Sequence, residues 1–282
     1  MARLPLPTSP SVSIALLLPH HPQPSLIFTS HSRWPLPPNG TTPQRPLRIS
    51  VLDSSFNPPH AAHLALARHS SADALLLCFT AANPDKGTVE SSVTTTRLEM
   101  IRAVALDLQR RAGQDGALEL GANVAVALLD APTFVQKSRV LKRELTELVR
   151  EQTGGEEVEV KLDFLVGWDT LIRIFAPRYY QPPNPDLTTS MNAFLRDDGS
   201  SVSCARRGDV SPEEEHAFLE SDEVKPWGSQ VRLFDLEAEA VKGISSTEIR
   251  RAVKEQRWQD VRRDVPFEGV VEIVRREGLY RE

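Results

Sequence analysis

The chain has 282 residues, is 40% hydrophobic and 25% charged, and carries a formal net charge of −5. That length and composition can bury a sizeable core in one large soluble domain, and no run approaches the roughly 18 apolar residues of a membrane span. The acidic balance argues against a protein that coats nucleic acid and confines any phosphate site to a local pocket. Two cysteines, Cys78 and Cys204, outside any CxxC or Cys/His cluster, suggest neither a disulfide framework nor a structural zinc and fit a reducing compartment.

Residues 1–46 differ from the rest. Eleven of the 22 prolines fall there, and no acidic residue precedes Asp53. Proline removes a backbone donor and clashes with the preceding helical turn, so this segment is expected to be a largely extended or flexible extension, with Ile14 to Leu18 as a patch able to pack on the core. A transit peptide competes with that reading, since the segment is acid-poor and hydroxyl-rich, but its prolines oppose the amphipathic helix such peptides need. Ser11 to Leu18 is short for a secretory signal.

From Leu47 onward apolar runs alternate with helical patterns. Strands are expected at Ile49–Leu52, Ala74–Phe79, Val124–Leu129 and Val158–Val166, each followed by a helix: Ala61–His69, Thr96–Arg111, Phe134–Gln152 and Asp169–Phe175. This α/β alternation predicts a mainly parallel sheet with helices on both faces, its ligand beyond the strands' carboxyl ends. Residues 182–225, rich in Pro, Asp, Ser and Glu, read as a loop-rich insertion around an inner strand, Val202 to Ala205, with Val231 to Phe234 as the last strand. Helical pattern returns at Thr247–Gln256 and Glu268–Glu277, so 47–282 reads as a single domain.

Two stretches carry chemistry. Neither GxGxxG after a strand nor GxxxxGK[ST] occurs. Instead SFNPPHAAH, Ser55 to His63, stands at the first strand–helix junction, where free helix N–H groups and two imidazoles three residues apart suit a phosphate. ISSTEIR, Ile244 to Arg250, opens a late helix with hydroxyl donors and a guanidinium fork one turn on. Each has a plainer reading: Ser–Thr before Glu is a good helix cap, and the His pair could be a surface feature or part of a metal site, although no further metal ligand is marked out nearby.

Together, SFNPPHAAH and ISSTEIR resemble the motifs of the nucleotidyltransferase superfamily, in particular the nicotinamide mononucleotide adenylyltransferases, whose motifs run GSFNPxxxxH and ISSTxIR. VPFEGVVEIVRREGLY (265–280), NPDKG (83–87), the R-x-x-M of Arg97 to Met100, and FLVGWD (164–169) are similar to further elements of that family. The resemblance implies a Rossmann-like, doubly wound nucleotidyltransferase fold. It further implies an adenylyltransferase that joins nicotinamide or nicotinate mononucleotide to the AMP moiety of ATP, with Mg²⁺ accompanying the ATP, in the cytosol or nucleus. By the same resemblance Ser55, Phe56, His60, His63, Gly167, Asp169, Ser246, Thr247 and Arg250 meet ATP, with His60, His63 and Arg250 as the catalytic set. Lys86 and Arg206 would meet phosphate, and Trp168 and Phe134 are candidates to stack on the pyridine ring. Their plainer roles are a solvated loop lysine for Lys86, a helix cap for Asp169, and core packing for the two aromatics.

The chain departs from the motif at one place: Asp53-Ser54-Ser55 stands where the family carries glycine before Ser-Phe-Asn-Pro. A side chain at Ser54 narrows the approach of phosphate, and an inward Asp53 would repel it unless it bound Mg²⁺. That departure favours an alternative, a divergent relative that binds or hydrolyses ATP and acts as a regulatory, partner-binding protein. Another acceptor, such as phosphopantetheine, is a third option; SFNPP and the VP…LY ending favour the pyridine mononucleotide.

Overall fold

In the computed structural model the described residues are 25–80, 82–83, 87–88, 91–115, 122–206, 208, 210–236 and 243–282. The chain's apolar runs become strands because they are short and mostly rich in β-branched or leucine side chains, with β3 and β6 buried at nearly every position. They are β1 (Ser25–Thr29), β2 (Leu47–Asp53), β3 (Ala74–Thr80), β6 (Val124–Leu129), β7 (Val160–Gly167), β8 (Ser201–Ala205) and β9 (Val231–Phe234), with β4 (Ala82–Asn83) and β5 (Gly87–Thr88) forming a separate two-stranded ribbon. The seven-stranded order is β1-β6-β3-β2-β7-β8-β9. All its neighbours are parallel except β1, which runs antiparallel along β6.

From β2 the chain first winds outward through β3 and β6, then returns to β7 on the other side of β2 and winds out through β8 and β9. The direction of winding therefore reverses between β2 and β7. In a doubly wound sheet the ligand crevice opens beyond the carboxyl ends of the strands at that reversal.

Helices α1 (Ala61–His69), α2 (Ser91–Asp115), α7 (Ser246–Lys254), α8 (Trp258–Asp264) and α9 (Glu268–Arg276) contribute Leu64, Ile101, Ile249, Val261 and Val271 to one face's core. The opposite core is built by α3 (Phe134–Gln152) and α4 (Trp168–Ile174), through Leu141, Leu145 and Leu171, and by the segment that follows. Helix α3 is exposed on one side and apolar on the other, with a Thr133 cap that accepts from Gln136 N. The predicted doubly wound, mainly parallel architecture is the observed one.

Two expectations about the irregular parts differ from the structure. The second half of the supposed extension is folded: Ser25–Thr29 pairs with β6, and Trp34 and Leu36 are fully buried. The reason lies in the proline spacing, because residues 25–34 form a proline-free window long enough for one edge strand. Its return is then fastened by Asn123 Nδ2 donating to Pro35 O (2.8 Å) and Gln152 Nε2 to Trp34 O (2.9 Å). The patch Ile14 to Leu18 lies outside the described residues.

The stretch 182–225 is likewise more ordered than a loop. It holds α5 (Leu187–Met191) capped by Asp186, a π-helical turn (Asn192–Asp197), β8, and α6 (Pro212–Leu219) capped by Ser211 with proline in the first turn. Lys142 of α3 donates to Asp198 O (2.6 Å) and Ser138 to Asp198 Oδ2 (2.7 Å), stitching the segment to the body. Helices of five to eight residues are too short to display a 3.6-residue period, so composition alone suggested a loop.

Candidate active site

Strand β2 ends at Asp53, and the chain reverses through Ser54 to Pro59 before entering α1. Phe56 makes the reversal: its φ is +44°, in the left-handed region that a bulky side chain enters only at a cost. Its ring is fully buried and lies 4.8 Å, centroid to centroid, from the His63 imidazole. Burial of the ring holds the strained backbone, and Ser55 is left exposed at the tip.

His60 and His63 are 9% and 7% exposed, with their rings 4.0 Å apart. Burial lowers the His60 pKa to about 4, against a weak upward pull from Asp264, and burial followed by the adjacent His60 holds His63 well below its usual value. Both are neutral at pH 7. The His60 backbone N–H donates to His63 Nδ1 (3.1 Å), so the proton of the neutral His63 ring sits on Nε2, which is 2.9 Å from Ser54 Oγ. His60 Nδ1 is buried and has no partner.

These shifts make a prediction about stability. Unfolded histidines take up protons below about 6.5, whereas folded His60 does so only near 4, so within that window the unfolded state binds the extra proton and stability falls as pH falls. At 1.36 kcal/mol per unit, His60 alone accounts for about 3 kcal/mol across the window. Urea unfolding midpoints should drop between pH 7 and pH 4, and the slope should shrink in His60→Gln; an identical slope in the variant would refute the assignment.

The second motif is folded onto the first. Ser245 caps α7 by accepting from Glu248 N (3.2 Å), which frees Ser246 to donate to Pro58 O (3.0 Å). Arg250 Nη1 donates to Asn57 O (2.8 Å) and Nη2 to Thr247 Oγ1 (3.1 Å), so part of the guanidinium fork remains for another acceptor. Tyr280, from the closing LY, donates to Asn57 Oδ1 (2.8 Å), and its hydroxyl pKa is raised to about 12 by burial. Residues 188 to 223 positions away thus bond to the Asn57-Pro58 step that leads into the two histidines.

Asp53 does not point into the crevice as a free carboxylate. Lys137 Nζ lies 2.5 Å from its Oδ2, and Thr80 Oγ1 donates to its Oδ1 (2.9 Å). The ammonium also stands 4.6 Å above the Phe134 ring. The expected electrostatic obstacle is neutralised inside the fold by a lysine that helix periodicity placed on the buried face of α3, with Ser138, Leu141, Leu145 and Val149.

The remaining candidates divide. Gly167 ends β7, beside β2, and Asp169 is exposed in the first turn of α4, so both stand at the reversal crevice. Trp168 is 6% exposed and meets Phe218 edge-on at 5.3 Å, and Phe134 meets Phe164 edge-on at 5.6 Å; both rings pack with the core of the far face. Arg206 is tied to Glu215 (3.0 Å) and Asp235 (3.1 Å). Lys86 lies outside the described residues.

Three further residues join the site without a role of their own in the sequence motifs: Lys137, Tyr280 and Arg97. Arg97 has a buried Nε without a hydrogen bond, sits 5.5 Å over Phe79, and feels both Arg250 and Tyr280. The R-x-x-M and LY signatures pointed at two of them; nothing local marked Lys137. Among the described residues no three His, Cys, Asp or Glu side chains are grouped to hold a metal, and no helix is long and apolar enough to cross a membrane.

The doubly wound α/β fold superposes on that of Plasmodium falciparum nicotinic acid mononucleotide adenylyltransferase complexed with NaAD with a TM-score of 0.52 at 15% identity, over 83% of this chain and 97% of that one. The same enzyme complexed with APC gives 0.50, again at 15%, over 83% and 96%. In sequence the chain has a fungal homologue, the Schizosaccharomyces pombe protein named "Putative nicotinamide mononucleotide adenylyltransferase", 27% identical over 238 residues that span 80% of this chain and 84% of the relative. The resemblance carried by the two terminal motifs therefore leads to a homologue and structural neighbours that are pyridine mononucleotide adenylyltransferases by name. No family model matches the chain.

Proposed function

We propose that the protein transfers the adenylyl group of ATP to nicotinamide mononucleotide or nicotinate mononucleotide, giving NAD or its acid form and pyrophosphate. The observation that carries this reading is the clamp itself: Arg250 and Ser246 bonded to the Asn57-Pro58 backbone at the sheet's reversal point, in the turn that leads directly into a pair of buried neutral histidines. The names of the fungal homologue and the structural neighbours agree with it.

In this reaction a 5′-phosphate oxygen of the mononucleotide bonds to the α-phosphorus of ATP as the bond from that phosphorus to the bridging oxygen breaks and pyrophosphate leaves. No protein nucleophile is needed; two anions must be aligned and the growing charge on the phosphates met by fixed donors. Neutral imidazoles suit that task, since they donate N–H without requiring a proton from solvent. His60 would face the triphosphate, with His63, engaged at both ring nitrogens by the His60 N–H and Ser54 Oγ, acting on it through Ser54, and the uncommitted part of the Arg250 fork, with the Thr247 hydroxyl beside it, would steady the departing pyrophosphate. Gly167 and Asp169 would border the nucleotide ribose at the end of β7. Mg²⁺ bound to the triphosphate would add charge neutralisation; Asp53, taken by Lys137 and Thr80, is not offered as its ligand.

The test is to incubate the protein with Mg-ATP and each mononucleotide in turn and to separate products by chromatography. NAD or its acid form with equimolar pyrophosphate is the expected result, and the two acceptors' kcat/KM values decide between amide and acid. Hydrolysis of ATP without dinucleotide would overturn the transferase reading in favour of an ATP-hydrolysing regulatory protein.

A further inference from the structure

Ser54 occupies the position where glycine stands in the related motif, and its surroundings give it a definite donor geometry. Its backbone N–H is directed to Cys78 O (3.3 Å), a continuation of the β2–β3 ladder, so the main-chain donor at this position is turned toward the sheet. Its side chain meets α1 instead, with Oγ 2.9 Å from His63 Nε2. The proton on that contact is assigned by the rest of the ring: Nδ1 accepts from the His60 N–H at 3.1 Å, and the neutral imidazole has one proton, which is on Nε2. Ser54 Oγ therefore accepts from His63, and its own O–H is left to donate elsewhere. Asp53, the nearest carboxylate in the chain, is held by Lys137 and Thr80 and does not compete for it.

We propose that the Ser54 hydroxyl is a phosphate-binding donor in this protein, oriented by His63, through a relay from His63 Nε2–H to Ser54 Oγ and from Ser54 O–H to an ATP phosphate oxygen. The inference rests on the ATP site proposed above and adds to it. Half-buried Ser54 lies at the carboxyl end of β2, beside the winding reversal, where a phosphate in the crevice would meet its free hydroxyl. A hydroxyl that accepts from one N–H is polarised to donate more strongly, and a hydrogen bond to a charged acceptor in a partly buried site is the stronger kind. The serine is thus part of the site rather than an obstruction within it.

Calorimetric titration with Mg-ATP, in the absence of mononucleotide, tests this independently of the transfer reaction. Ser54→Ala and Ser54→Gly should each weaken Mg-ATP binding tenfold or more, as loss of one charge-assisted hydrogen bond does. Ser54→Ala/His63→Ala should bind little worse than His63→Ala alone, because the two groups act as one unit. In the free protein, ¹⁵N-resolved NMR should show His63 protonated on Nε2, with that proton moving upfield in Ser54→Ala. Binding by Ser54→Gly as tight as or tighter than wild type would overturn the proposal and make the serine a mere obstacle. Additive losses in the double variant would overturn the relay. Failure of the wild type to bind Mg-ATP would overturn the ATP site and this inference with it, whereas binding without dinucleotide formation would overturn only the transfer reading.

Discussion

Replacing His63 by alanine is expected to lower adenylyl transfer roughly a hundredfold or more, the usual consequence of removing one preorganised donor from a site where phosphate charge develops. The side chain is 7% exposed, packed against Phe56 and His60, and bonded at both ring nitrogens, so it enters the reaction with its orientation already set. That rigidity distinguishes it from a flexible surface histidine, whose removal would change little. Because the interaction strengthens as the transition state forms, the loss should fall on kcat as well as on kcat/KM. Steady-state kinetics of His63→Ala at saturating Mg-ATP would check it, with circular dichroism to confirm folding. Unchanged turnover would remove His63 from the mechanism.

The second large effect concerns stability. Asp53→Ala strands the Lys137 ammonium, whose side chain is 5% exposed, beside little more than the Phe134 ring and the Thr80 hydroxyl that Asp53 had held. Leaving a buried charge without its partner typically costs about 3–5 kcal/mol. For a domain of this size that corresponds to a fall in melting temperature on the order of 10 °C. Adding Lys137→Met to Asp53→Ala should recover most of the loss, since removing both charges leaves neither uncompensated. Thermal unfolding of the two variants decides the matter: equal stability of the single variant and wild type would mean that Asp53 and Lys137 are not held together in solution. The pair also fixes the end of β2, so its loss would disorder the Ser54 turn and weaken the site.

Much of the architecture is readable from residue order because parallel strands are unbroken apolar runs. ALLLCFT and VAVALL, buried at nearly every position, announce β3 and β6, and FVQKSRVLKRELTELVREQ displays α3 by its period. The strand–helix junction at SFNPPHAAH and the helix start at ISSTEIR were equally visible, since both are local in sequence. Edge strand β1 was concealed by flanking prolines, and α8, seven residues with Val261 as its one buried apolar side chain, was too short and too polar to show a period. The helices between residues 182 and 225 were hidden for the same reason.

The candidate site separates along the same line. Which residue types could meet a phosphate, and where each stood along the chain, was set by sequence, because motifs and helix caps depend on neighbours a few positions apart. What only the tertiary structure decided is how those groups bear on one another. Arg250 and Tyr280 reach Asn57 across 193 and 223 positions, and Lys137 neutralises Asp53 across 84. No local pattern encodes such pairings, which arise when the sheet's winding brings distant strand ends to one edge. The proton on His63 Nε2 is likewise a tertiary property: it follows from a buried ring with one nitrogen filled by a backbone N–H and the other turned to a serine where glycine was expected.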